Sequence, residues 1–234
     1  STLSSSSAAS DVYKRQHVFE LRNVTKSYLT PNGRRYVFRN LSMAIPPGKN
    51  IGLIGRNGAG KSTLMRLLGG ADVPDSGTIA TDRSISWPVG LTGGFQGSMS
   101  GRDNIKFICR VYGATGDAMR EKIRYVQEFA EIGDWIDEPI KTYSSGMRSR
   151  VAFGLSMAFD FDYYLIDEVM SVGDAQFKRK CAEVFKEKLQ KSNVVLVSHS
   201  MPEIEKLCDI VLLVRDGGIQ VYDDVAEGIK AYNS

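Results

Sequence analysis

Three short stretches of the chain carry residue types whose spacing suits phosphate chemistry. The first is GRNGAGKS, residues 55–62, made of Gly55, Arg56, Asn57, Gly58, Ala59, Gly60, Lys61 and Ser62, with Thr63 next. Its small residues let successive backbone N–H groups turn inward as a nest for phosphate oxygens, at the positive end of the helix that follows. Lys61 has the reach for β- and γ-phosphates, and the Ser62 hydroxyl is a hard oxygen that suits a Mg²⁺ shell. The second stretch, FDYYLIDE (161–168), is an apolar strand ending in Asp167 and Glu168. A carboxylate there can hold Mg²⁺ directly or through water, and the adjacent Glu can orient and deprotonate an attacking water. Alone, two acids at a strand end are an ordinary solvated terminus; beside a phosphate loop they become a metal ligand and a base. The third stretch is YSSGMRSR (143–150), where Ser144, Ser145, Gly146 and Met147 open a helix. It reads either as a second anion-binding helix terminus or as a plain N-cap.

The elements that position these residues are legible from the pattern. KNIGLIG (49–55) is a short apolar strand feeding the Gly-rich turn, and STLMRLLGG is the helix after it. FDYYLID, NVVLVSH and DIVLLV are three more buried-type strands separated by helical stretches, which argues for an α/β domain around a largely parallel sheet. VFELRNV, and YVFRNLSMAI closed by Pro46, Pro47 and Gly48, are two earlier strands. Between about residues 97 and 158 the pattern turns helical: Met119, Ile123, Val126 and Ala130 recur at helix spacing, predicting an inserted helical subdomain.

Composition sets the bounds. The 234 residues, 42% hydrophobic and 24% charged, suit one globular domain with a subdomain. No run of 18 apolar residues occurs, so any membrane role passes through a partner. A net charge of +3, scattered rather than striped, gives no nucleic-acid footprint. Cys109, Cys181 and Cys208 are far apart and without a CxxC pair, which reads as three buried thiols in a reducing compartment. Residues 1–16 stand apart. STLSSSSAAS is polar and of low complexity, and DVYKRQ resembles the translation of a sequencing-library adaptor. The expectation is a disordered, non-native leader before a domain spanning 17–234.

In that order, GRNGAGKS, YSSGMRSR, LIDE and a later VSHS resemble the phosphate loop, signature, Walker B segment and switch histidine of the ATP-binding-cassette (ABC) ATPases. The resemblance implies a P-loop core with a mixed, largely parallel sheet, an N-terminal antiparallel β subdomain and the inserted helical subdomain. It implies ATP and Mg²⁺ as cofactors, the metal held by Ser62 and Asp167, with Glu168, His199 and Lys61 as the catalytic set. It also implies a head-to-tail dimer with a second copy, in which residues 144–147 of one chain cap the γ-phosphate held by the other. Tyr28, in VTKSY, matches the aromatic that stacks on adenine, with Tyr36 a second candidate. Asp174, in SVGD, matches the loop that crosses the dimer.

WPVGLTGGFQGSMSGRDNIKF, YSSGMRSR and SMAFDFDYYLIDEVMSVGDAQF together resemble the ATPase subunits of capsular-polysaccharide exporters, relatives of those exporting O-antigen and teichoic acid. That implies a peripheral subunit on the cytoplasmic face of a bacterial inner membrane, bound to transmembrane permease subunits, touching polysaccharide cargo only indirectly and no nucleic acid. One departure stands out. The family's Q-loop Gln lies about 13 residues before an Asn, whereas Gln96 lies eight before Asn104, and the usual spacing falls near Gly90 and Leu91. Gln96 is therefore either the Q-loop residue or an exposed loop amide. The resemblance makes residues 87–108 the seat of the permease's coupling helix, with Trp87, Pro88 and Phe95 either in its apolar groove or in the core.

Overall fold

The computed structural model describes residues 19–89, 94–167 and 174–234. In chain order the chain begins with β1 (Phe19–Thr30), β2 (Gly33–Ile45), β3 (Ile51–Gly55), α1 (Lys61–Leu68), β4 (Ser76–Ala80) and β5 (Ile85–Pro88). There follow α2 (Gly101–Val111), α3 (Gly116–Ala130), two short 3₁₀ turns, α4 (Ser145–Met157), β6 (Tyr163–Asp167) and α5 (Ala175–Lys188). The last elements are β7 (Asn193–Val197), α6 (Met201–Leu207), β8 (Ile210–Arg215), β9 (Gly218–Tyr222) and α7 (Val225–Asn233). The chain divides into two compact units, one of Ser1–Pro88, Phe161–Glu168 and Ser192–Ser234, the other of Val89–Asp160 and Val169–Lys191.

The first unit holds both sheets. Three antiparallel strands run in the order β2-β1-β4, and six strands run β5-β6-β7-β3-β8-β9. The larger sheet is parallel except for the β8–β9 pair at its edge. The sequence sets this arrangement: β3 is buried at all five positions, as an apolar run must be when parallel strands flank it on both sides. Leu64 and Leu68 of α1 share one core with Leu53, Leu165, Val195 and Leu212. Tyr163 on β6 is buried and its hydroxyl accepts from the Gly48 N–H at 2.8 Å, fixing the turn into β3.

The second unit is helical. The face expected on α3 is buried at Ile123, Val126 and Ala130, with Met119 half-buried and Phe129 added to it. Phe129 stacks on Phe153 at 5.6 Å and meets Phe177 edge-on at 5.3 Å between ring centroids. All three cysteines are free and buried, and burial pushes the Cys181 and Cys208 thiols up to about 11 and about 12.

Several details differ from the sequence reading. β1 extends through VTKSY to Thr30, so Tyr28 sits inside a strand. The edge strands β4, β5 and β9 interrupt their apolar residues with Gly, Ser, Thr, Gln or Pro, so no continuous apolar run marks them. The helix over the signature stretch stops at Met157, leaving Ala158 as its cap. The expected leader lies outside the described residues.

Candidate functional site

The phosphate loop leaves β3 and enters α1 along a path that only glycine can follow. At Gly60, φ is +116° and a Cβ would lie 2.5 Å from Val37 Cγ1. At Gly55, φ is +153° and a Cβ would lie 2.5 Å from the Val214 carbonyl oxygen. The loop is thus pressed against β2 on one side and β8 on the other, which fixes the direction of its N–H groups. No side chain caps the start of α1, so its first-turn N–H groups remain open to an anion. Lys61 is buried, and its Nζ donates to the carbonyls of Gly55 at 2.7 Å and Arg56 at 3.3 Å. These bonds hold the ammonium across the mouth of the loop.

The strand register brings the other chemistry to the same edge. β3, β6 and β7 are parallel, with Asp167 opposite Val197 and Val197 opposite Leu53. The loop after β3, the carboxylate ending β6 and the histidine two residues beyond β7 therefore emerge together at the carboxyl ends of three neighbouring strands, where parallel sheets bind ligands. His199 is exposed; beside it the Ser198 hydroxyl donates to Glu203 at 2.7 Å and accepts from the Ser200 N–H at 3.0 Å, tying down the turn. One cleft of about 540 Å³ is lined by Asn57, Gly58, Gly60, Lys61, Ser62 and Thr63 of the loop and helix, by Asp167 and His199, and by Tyr28 and Arg35 of the first hairpin. Its donor set for a cation is the Ser62 hydroxyl and the Asp167 carboxylate, hard oxygens that fit Mg²⁺.

Tyr28 lines this cleft and carries a tether the sequence did not announce. Its hydroxyl donates to Asp72 Oδ2 at 2.9 Å and accepts from Arg66 at 2.8 Å, while Lys26 Nζ donates to Asp72 Oδ1 at 2.6 Å. Desolvation works to raise the Asp72 pKa, but the hydrogen bonds from Lys26, Tyr28 and the Val73 N–H outweigh it and hold the carboxyl below its ordinary value. Tyr36 lies elsewhere. Its exposed ring packs under the Arg39 guanidinium at 3.8 Å, in a neighbouring cleft of about 720 Å³ that also holds Arg56 and Ala59.

Residues 144–147, Asp174 and Gln96 belong to the second unit. Ser144 is the N-cap of α4, its hydroxyl accepting from the Met147 N–H at 3.1 Å; Ser145 is exposed and Gly146 and Met147 half-buried. Asp174 caps α5 by accepting from the Gln176 and Phe177 N–H groups, and it pairs with Arg150 at 2.9 Å. Those backbone bonds, chiefly Phe177's, hold its carboxyl below the ordinary value. The Gln96 N–H donates to Asn104 Oδ1 at 2.7 Å, while its side chain is exposed. Asn104 spends its own amide on the carbonyls of Gln96, Met99 and Ser100. Glu168, Gly90 and Leu91 lie outside the described residues. Of the apolar candidates, Trp87 is half-buried and packs edge-on against Phe161 at 5.5 Å, and Pro88 is buried. Phe95 is half-buried.

Arg35 is the charged cleft residue that sequence reasoning passed over. A charged residue in an exposed hairpin reads as a solvated face, and only the pairing of β2 with β1 places it beside Tyr28.

Residues 38–171 match the family model described as ABC transporter. The chain is 56% identical over 216 residues, 92% of its length and 96% of the relative's, to the polysialic acid transport ATP-binding protein KpsT of Escherichia coli. It is 44% identical over 216 residues, 92% of its length and 98% of the relative's, to the ATP-binding protein BexA of Haemophilus influenzae. Among solved structures, the dimeric post-hydrolysis state of the ATP-binding cassette MJ0796 bound to ADP and Pi superposes with a TM-score of 0.67 at 20% identity, covering 86% of this chain and 96% of that one.

Proposed function

The chain belongs to the ABC transporter family, and from that premise we propose that it is the ATP-hydrolysing subunit of an exporter of capsular or related polysaccharide. The observation that carries the reading is the single cleft that gathers Lys61, Ser62, Asp167 and His199 at the carboxyl ends of three adjacent parallel strands. Relatives named for polysialic acid transport supply the cargo class. No described helix is long and apolar enough to cross a membrane; on this reading the chain sits at the cytoplasmic face of the inner membrane and works on separate permease subunits.

In the proposed mechanism the open N–H groups of the loop and of α1 take the β-phosphate, and Lys61 swings from the Gly55 and Arg56 carbonyls to the phosphate oxygens. Ser62 and Asp167 would hold Mg²⁺, which would supply positive charge against that developing on the leaving phosphates. Glu168, next to Asp167, orients and deprotonates the attacking water, and His199 contacts the γ-phosphate. The helix start at residues 144–147 of a second copy caps that phosphate, so ATP joins the two copies and its hydrolysis lets them part. Ser144 and Ser145 are exposed and available for that contact.

The test is Mg²⁺-dependent ATP hydrolysis by the purified chain, sized by chromatography with and without ATP. Lys61→Ala should lose nucleotide binding. Glu168→Gln should bind ATP, persist as a dimer and turn over at least ~100-fold more slowly, in line with the loss of a positioned general base. Parent-like turnover by Glu168→Gln would remove that residue from the base role.

A further inference from the structure

The cleft contains a cation that the nucleotide reading leaves without a task. Arg35 pairs directly with Tyr28 in the β1–β2 ladder, so the two side chains stand on the same face of the hairpin, about 5 Å apart at Cβ. Both line the nucleotide cleft. An Arg35 terminal nitrogen comes within 4.0 Å of the place a Cβ would take at Gly58, over the middle of the phosphate loop. Its neighbour Arg34 is spent on Ser27, at 2.9 Å, and on Asp75, at 3.7 Å. Arg35, by contrast, has no ion pair among the described residues and is exposed. Its backbone is well held, because the ladder continues through Leu29 with Arg34 and Thr30 with Gly33 to the turn. The guanidinium is thus aimed by a paired hairpin at a loop built for phosphate, and no acidic side chain among the described residues pairs with it.

Resting on the nucleotide-binding reading above, we propose that Arg35 is a second phosphate-gripping residue of this site, binding a phosphate oxygen of the nucleoside triphosphate from the hairpin side while Lys61 holds it from the loop side. The planar fork offers two parallel N–H donors to the phosphate oxygens, a geometry that an ammonium cannot copy. Arg35 is therefore a binding residue. It should act on affinity for anything carrying the polyphosphate, whatever base or sugar is attached.

Calorimetric titration of the whole chain with MgATP and, separately, with magnesium tripolyphosphate tests this, using the parent, Arg35→Gln, Arg35→Lys and Lys61→Ala. Because Arg35 is exposed, its substitution should leave the melting temperature unchanged. Arg35→Gln should weaken both ligands by about tenfold or more, the scale of one lost charge-assisted hydrogen bond, with Arg35→Lys between. In ATPase assays the loss should fall on KM, with kcat near the parent value. Parent-like affinity of Arg35→Gln for both ligands would overturn the proposal. So would weakened MgATP with unchanged tripolyphosphate, which would put the guanidinium on the base or sugar instead. If Lys61→Ala also bound both ligands like the parent, the nucleotide site itself would fall; if Lys61→Ala lost them while Arg35→Gln did not, only the role of Arg35 would.

Discussion

Gly60 shows how little freedom a single position in this site has. Its φ of +116° disfavours any side chain, and a Cβ 2.5 Å from Val37 Cγ1 and 3.0 Å from Phe38 Cζ would have to displace those side chains of β2. Gly60→Ala should lose about 1–3 kcal/mol of stability in urea unfolding, the usual scale of a forced left-handed conformation, together with nucleotide binding. An alanine variant with parent stability would mean that the loop relaxes freely. Asp72 supports a prediction of a different kind. Its carboxyl is held below the ordinary value mainly by Lys26 and Tyr28, against the desolvation that opposes them. A depressed folded-state pKa stabilises above the unfolded-state value and is lost as pH falls through the folded one. Asp72→Asn should therefore be less stable than the parent at pH 7, and the gap should close as pH drops below about 4, the ordinary carboxylate range. A gap that persisted in acid would show that the carboxylate charge is not what Asp72 contributes.

At the scale of elements, Ser144 has two separable tasks. It caps α4 through the Met147 N–H, and it is proposed to face the nucleotide held by a second copy. Ser144→Ala should cost about 1 kcal/mol in chemical unfolding as well as turnover, whereas Ser144→Asn, an equally good cap, should keep stability and lose turnover. If Ser144→Asn hydrolysed ATP like the parent, the residue would be a cap and nothing more. The elements also mark where the sequence was readable. The strands feeding residues 55–62, Asp167 and His199 were legible because they are central, parallel and almost wholly buried, each with a continuous apolar run. β4, β5 and β9 were not, because they lie at sheet edges and mix polar or turn-forming residues with apolar ones. The tether of Tyr28 and the aim of Arg35 depend on which residue faces which across β1 and β2, and no motif states that. The cap role of Asp174 was hidden for a related reason, since a turn aspartate looks the same whether it serves its own helix or a second chain.

For the whole molecule, the decisive fact is that every lining residue of the proposed nucleotide cleft belongs to the first unit. A ligand that binds only the folded state stabilises what it binds, by about 2.7 kcal/mol at a hundredfold excess over Kd, or roughly 5–10 °C for a chain of this size. The two tryptophans divide between the units: Trp87 packs on Phe161 in the first, and Trp135 is half-exposed in the second. Fluorescence of single-tryptophan variants, Trp135→Phe and Trp87→Phe, can therefore follow each unit in one thermal scan. Saturating MgATP should raise the transition seen by Trp87 through that full range and the one seen by Trp135 by less, because the second unit holds none of the ligand's contacts within its own chain. In Lys61→Ala neither should move. Equal shifts from both tryptophans would mean that the units unfold as one cooperative body, so that energy taken up at the phosphate loop reaches the signature helix without a second copy to carry it.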